Sequence, residues 1–190
     1  MKVLAFRGSP RRNGNTDLLL DRVLEGVRTV TENIRVIRLA DLDIGPCQNC
    51  GGCDKTGRCI VGDEMENVYR DVEEADRIVI ASPIFFAGLS AQTKTMIDRC
   101  QAFWCRKYKL GIPIAAGPHG RRGLLLLIGG RRRSTEGEGA ILTAEAFFHS
   151  VSITDFETLR YLGVDARGEI AKHPTAFQEG FEAGKRLVAR

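Results

Sequence analysis

"VLAFRGSPRRNGNTDLLLDRVLEGV", residues 3–27, carries a strand, a loop and a helix in one run. Residues 3–6 are a short apolar stretch of the kind a buried strand shows, and Leu18, Leu19, Val23, Leu24 and Val27 then recur at helical spacing. The chain therefore changes from strand to helix across residues 8–16. A polar, glycine-containing loop at such a junction turns backbone NH groups, hydroxyls and the positive end of the helix toward an anion, so a phosphate fits there. Asn15 or Thr16 is placed to cap the helix while its side chain also donates to phosphate oxygens. The segment matches neither G-x-x-x-x-G-K-[ST] nor G-x-G-x-x-G, which argues against a nucleoside triphosphate loop and a dinucleotide fingerprint. A polar turn with a good cap and no ligand is the plainer alternative.

Outward from this unit the alternation continues. Residues 34–39 alternate like a second strand, and Asp63 followed by Glu66 resembles a capping box for a helix through Val68 and Val72. Residues 77–81 (RIVIA) form an apolar strand, 91–103 a helix, and 123–128 (GLLLLI) the next strand. A helix over 143–150, starting near Ser134 or Glu138, a more polar strand within 153–161, and a closing helix with Phe177, Phe181 and Leu187 complete the chain. Near-continuous apolar strands alternating with helices indicate a parallel sheet covered on both faces. The expected fold is α/β: a flavodoxin-like, doubly wound five-stranded parallel sheet with helices on both faces. One domain over 1–190 is expected, with a cysteine-rich insertion at 45–62 and ligands at the carboxyl ends of the strands.

Composition narrows the function classes. Apolar residues make up 43% and charged residues 27%, with no run of 18 apolar residues, so a soluble protein without a membrane partner is expected. The first residues enter a strand directly with no leader-like apolar region, which points to a cytoplasmic, reducing setting where disulfides are rare. The formal charge is +4, and basic residues cluster at Arg11-Arg12, Arg121-Arg122 and Arg131-Arg132-Arg133. Each cluster adjoins a glycine-rich turn rather than a helix with interleaved aromatics, which favours small anionic ligands over nucleic acid.

A second loop, residues 82–88 (SPIFFAG), places aromatic and apolar side chains at the carboxyl end of a central strand, where they suit a wall for a flat ring. Gly129 and Gly130, at the end of the fourth strand, bring backbone donors toward that ring's polar edge. The two loops suggest one ligand with a phosphate at one end and a planar heterocycle at the other.

Cys47, Cys50, Cys53 and Cys59 follow the spacing C-x2-C-x2-C-x5-C. Thiols at this spacing curl round a compact iron-sulfur cluster, as in ferredoxin runs, and Gly51, Gly52 and Gly57 allow close backbone approach. Four-cysteine zinc sites also use x2 spacing, although they usually pair two knuckles across a longer insert, and unligated redox thiols are a third option. From spacing alone a [4Fe-4S] cluster, zinc and redox thiols stay open. Cys100 and Cys105 read as small buried apolar side chains. His119, His149 and His173 form no metal spacing.

"GSPRRNGNT", "ADRIVIASPIFFAGLSAQTKTMIDR" and the cysteine segment between them resemble the NADPH-dependent FMN reductase family of flavodoxin-like proteins, and the cysteines point to its iron-sulfur flavoprotein branch. The resemblance covers about residues 2–130 in order and spacing; the last third matches in general pattern only. It implies FMN, with its phosphate held by Ser9, Arg11, Asn13, Asn15 and Thr16 and its ring against Pro83, Ile84, Phe85, Phe86 and Gly88. Many relatives carry Tyr where this chain has Phe85, so ring stacking is retained there and a hydroxyl contact is not. The resemblance also favours a [4Fe-4S] cluster on Cys47, Cys50, Cys53 and Cys59. It implies an FMN-dependent oxidoreductase taking electrons from NAD(P)H or ferredoxin to a quinone, dioxygen or a peroxide, with no catalytic acid, base or nucleophile, in a homodimer or homotetramer. Two alternatives are an FMN or quinone reductase with zinc or free thiols in place of the cluster, and a flavin-bound redox sensor or interaction module.

Overall fold

Strands β1 (Val3–Arg7), β2 (Ile34–Arg38), β3 (Arg77–Pro83), β4 (Arg122–Gly129) and β5 (Asp155–Leu162) make one sheet in the order β2-β1-β3-β4-β5. All neighbours are parallel, with Val3 opposite both Ile34 and Arg77, and Ile78 opposite Gly123. The structure, a computed structural model, describes residues 1–189.

The apolar runs of β1, β3 and β4 are explained by the two faces they serve. Leu4, Phe6, Ile78, Ile80, Leu125 and Leu127 point to one side, where they pack under α2 (Met65–Glu74), α3 (Ala91–Arg99) and α5 (Glu138–Ser150). Val3, Ala5, Val79, Ala81, Leu124 and Leu126 point to the other, under α1 (Asn15–Arg28) and α6 (Ala176–Val188). Each such side chain is almost fully buried, which for a Leu or Phe is worth about 1.5–3 kcal/mol. β5 looked more polar in sequence because it is an edge strand; its Glu157 pairs with Arg186 at 2.6 Å.

The connection after β1 leads to α1 on one face, and the connection after β3 leads to α3 on the other. The crevice between the carboxyl ends of β1 and β3 is therefore the switch point of the sheet, where ligands of such folds bind. Gly8 fixes that junction. Its NH donates to the Ala81 carbonyl at 2.7 Å, and a Cβ there would lie 2.1 Å from Thr93 Oγ1.

Two local expectations are corrected. The helix expected over 91–103 is divided: α3 stops at a tightened turn in which the Cys100 NH is shared between Met96 and Ile97 carbonyls, and α4 (Gln101–Trp104) then opens into a wide π-helical turn over Cys105–Lys109. The capping box at Asp63 is incomplete. Asp63 accepts from the Met65 NH at 3.0 Å, but Glu66 makes no reciprocal bond among the described residues, and Asp63 also accepts from Arg99 and from the Gly45 NH. Among the described residues no helix is long and apolar enough to cross a membrane.

Candidate functional site

α1 begins at Gly14 with no side-chain cap, so the first-turn NH groups of Asn15, Thr16 and Asp17 find no acceptor among the described residues. These free donors, with the buried hydroxyl-bearing Ser9 and Thr16 beside them, form an anion cradle. Ser9 Oγ accepts from the Arg11 NH at 3.2 Å and so holds the loop curled, while Asn13 takes a left-handed conformation at φ 53°. Arg11 is exposed with no ion pair among the described residues, whereas Arg12 is paired with Asp41 at 2.7 Å. Asn15 departs from expectation. Its side chain donates one NH to the Ala166 carbonyl at 2.9 Å and accepts from the Ile170 NH at 3.2 Å, so the amide is tied to the 166–170 segment and its backbone NH is the free main-chain donor.

Beneath the cradle lies Asp17, 1% exposed, a residue the sequence reading did not single out. It pairs with Arg38 at 2.6 Å and Arg7 at 3.4 Å and accepts the Asn13 NH at 2.9 Å; Arg38 also donates to the Ser9 carbonyl at 3.3 Å. Two guanidinium groups offset the repulsion that a buried carboxylate would otherwise exert on a phosphate. The available signals were an acid in the first helical turn and an arginine at the end of each neighbouring strand.

The second loop stands against the first. Ser90, which caps α3, donates through Oγ to the Gly8 carbonyl at 2.6 Å, and its NH donates to Ser82 Oγ at 3.0 Å. Ile84 is buried and fills the space beside Gly129, where a Cβ would lie 3.1 Å from Ile84 Cδ1. Phe85 and Gly88 exchange backbone hydrogen bonds at 3.0 and 2.9 Å, closing a tight turn whose tip residues Phe86 and Ala87 both have positive φ, 49° and 62°. Such turns favour Asn and Gly, and a non-glycine residue held left-handed costs about 1–2 kcal/mol. Phe86 is fully exposed at this strained tip. Pro83 and Gly88 are half-buried, and Gly130 and Arg131, Arg132 and Arg133 are exposed around the same end of the sheet.

Cys47, Cys50, Cys53 and Cys59 line one cavity of about 30 Å³, together with Pro46, Ile60, Val61 and Ala102. No three of their sulfurs lie within 4.8 Å of one another. Among the described residues, the set of three or more ligand atoms lying within 4.8 Å of one another is Cys53, Asp54 and Cys105. A donor set of four thiols on apolar walls suits a thiophilic group. The cavity is of the order of one water in size, with Cys47 and Cys50 exposed at its edge. Burial, followed by the neighbouring Cys105 thiol, pushes the Cys53 thiol above its ordinary value. Cys105 is buried, as expected of a small apolar side chain, and it also meets the Cys53 sulfur at 3.6 Å.

The insertion is held at its neck by Arg99, which sequence reading also missed. Its guanidinium, 2% exposed, donates to the Gly45 carbonyl at 3.0 Å, the Val61 carbonyl at 3.3 Å and both oxygens of Asp63 at 2.5 and 3.0 Å. Both ends of the cysteine loop thus meet on one side chain. Burial by itself would raise the Asp63 carboxyl, but Arg99 and the NH groups of Met65 and Gly45 override it and hold the group below the usual range. A cleft of about 530 Å³ opens at the amino end of the sheet, lined by Arg77, His119, Arg121 and Arg122; ligands of this architecture bind at the carboxyl end, so it is not the site.

Residues 1–132 match the family described as NADPH-dependent FMN reductase. An iron-sulfur flavoprotein of Methanocaldococcus jannaschii is 36% identical over 121 residues, covering 62% of this chain and 62% of the relative. The chain thus spans about three fifths of that relative's length. A second iron-sulfur flavoprotein of the same organism is 31% identical over 149 residues, 78% of this chain and 71% of the relative. Among solved structures, an FMN-dependent NADH-azoreductase of Bacillus anthracis in complex with FMN superimposes with a TM-score of 0.76 at 19% identity, covering all of both chains, and so shares the fold.

Proposed function

Because the chain belongs to the NADPH-dependent FMN reductase family, in its iron-sulfur flavoprotein branch, we propose that it is an FMN-dependent oxidoreductase whose cysteine loop carries a [4Fe-4S] cluster. One observation carries this reading: the phosphate cradle and the aromatic turn flank the switch point of the sheet, and the same chain brings four thiols to one cavity. The electron donor is NAD(P)H or a ferredoxin, and the acceptor a quinone, dioxygen or a peroxide. The assembly proposed is a homodimer or homotetramer in the cytoplasm.

Bound FMN would supply a centre that exchanges electrons in pairs or singly, and a cluster one that exchanges them singly. The protein's own residues bind and orient. The NH groups of Asn15, Thr16 and Asp17, with Ser9, Asn13, Thr16 and Arg11, hold the phosphate; the Asp17, Arg38 and Arg7 charges below keep that loop in shape. Pro83, Ile84, Phe85, Phe86 and Gly88 form the wall for the ring, and Gly129 and Gly130 offer backbone donors to its edge. We assign no side chain as acid, base or nucleophile. Cys47, Cys50, Cys53 and Cys59 are the cluster ligands, and Arg99 fixes the loop that bears them.

An anaerobic absorbance and EPR spectrum, with iron and acid-labile sulfide analysis, tests both cofactors together. Flavin bands with a cluster signal are expected. Protein with neither flavin absorbance nor FMN affinity overturns the reading, and stoichiometric zinc without iron replaces the cluster by a structural metal. Negligible turnover with NAD(P)H or reduced ferredoxin would favour the sensor alternative.

A further inference from the structure

Cys105 lies 52 residues beyond Cys53 in sequence, yet the two sulfurs stand 3.6 Å apart. Cys105 is fully buried and Cys53 half-buried, and both are free thiols. The contact is oriented rather than incidental. The Cys105 thiol donates to Asp54 Oδ1 at 3.3 Å, Asp54 is paired with Lys109 at 2.8 Å, and Gln101 Nε2 points at the Cys105 sulfur from 3.7 Å. Cys105 also opens the π-helical turn, a rare and adaptable backbone form that recurs at functional sites. The two sulfurs already stand at van der Waals distance, the approach that must precede the ~2.05 Å bond of a disulfide.

The geometry points to a reversible disulfide between Cys53 and Cys105, formed by a peroxide when the cysteine loop holds no metal. One thiol attacks a peroxide oxygen, giving a sulfenic acid and releasing water; the second thiol then displaces the remaining oxygen as water, so two thiols and one hydrogen peroxide yield one disulfide and two waters. A dithiol reductant reverses the bridge by two exchanges and is itself oxidised to a disulfide. The inference rests on the proposed cluster in one respect only: a sulfur in a disulfide cannot ligate iron, so bridge and cluster exclude each other at Cys53. An emptied loop would then be locked onto α4 and the π-helical turn until a reductant frees it. Cys47 and Cys50, both exposed, are the competing pair.

Full-length protein, stripped of metal by a chelator and treated with a stoichiometric amount of hydrogen peroxide, decides the matter by thiol titration and non-reducing peptide mapping. Two of the six thiols should disappear. Trypsin releases Cys47, Cys50 and Cys53 on one peptide, 39–55, and Cys100 and Cys105 on another, 100–106, and these two should run as one linked species. The link should persist in Cys100→Ser and vanish in both Cys53→Ser and Cys105→Ala, the first of which alters only the half-buried loop side should the second fail to fold. A bridge confined to peptide 39–55, a link that survives Cys105→Ala, or retention of all six thiols overturns the inference. Iron analysis before stripping separates the two claims: a link in protein that never held iron leaves the bridge standing and removes the cluster, whereas iron without a link after stripping does the reverse.

Discussion

At the scale of single residues, buried charge decides more than exposed chemistry. Arg99 meets Asp63 with a side-chain exposure of 1% and 16%, so removing Asp63 leaves a buried guanidinium without its counter-charge, and removing Arg99 leaves a half-buried carboxylate on two NH groups. Arg99→Leu or Asp63→Ala should cost about 3–5 kcal/mol in urea unfolding, the range for breaking a buried pair. The pH dependence has a definite sign. The folded Asp63 carboxyl sits below its unfolded value, so its contribution is complete above the ordinary carboxylate range and fades as pH falls through the folded value. Asp63→Asn should therefore flatten the stability profile on the acid side, and a profile as steep as that of the unaltered protein would refute the assignment. Ala87, left-handed and exposed at the tip of the aromatic turn, gives the opposite sign: Ala87→Gly relieves strain and should stabilise by about 0.5–1 kcal/mol after the greater chain entropy of glycine is counted. Neither Arg99 nor Asp17 was legible beforehand. An arginine on a helix and an aspartate in a first turn read as solvent-facing until the partners that bury them are known.

Elements were more legible than residues because their signal is repeated along many positions. β1, β3 and β4 show as apolar runs since both faces of the sheet are covered, and α1 shows as a 3.6-residue period because one side alone packs. The break at Cys100 left no such trace, since Gln101, Ala102, Phe103 and Trp104 fit a continuing helix as well as a new one. The closeness of α1 and α6 is set by glycines rather than by any periodic feature. A Cβ at Gly184 would lie 2.0 Å from the Val23 carbonyl, and one at Gly26 would lie 2.0 Å from that of Phe181. Neither backbone can yield without the helices separating. Gly184→Ala should cost about 3 kcal/mol, at the upper end of ordinary overpacking, and chemical denaturation with an unchanged midpoint would rule out this close approach.

For the whole molecule, the alternation of five strands with helices and the cysteine segment were legible in the sequence, while the sheet order and the arrangement of the thiols required the structure. Spacing reports which cysteines are neighbours along the chain, and Cys105 reaches Cys53 only through the path of α3 and α4. Ligand binding at the switch point should be felt globally: FMN at about a hundred times its dissociation constant adds about 2.7 kcal/mol, or about 5–10 °C in Tm for a chain of this size. Thermal melts with and without FMN check it, and coincident melts would count against the cradle. Arg99 has one further consequence. Because residues 45 and 61–63 are clamped to the same side chain, the stretch between them is a closed appendage whose length is decoupled from the sheet. Lengthening such a loop is cheap, about 0.6 kcal/mol per doubling, so residues outside the Cys53–Asp54 contact with Cys105 and Lys109 can be inserted while the sheet keeps its shape. One arginine thereby ties both ends of the cysteine-bearing segment to a single point of the body.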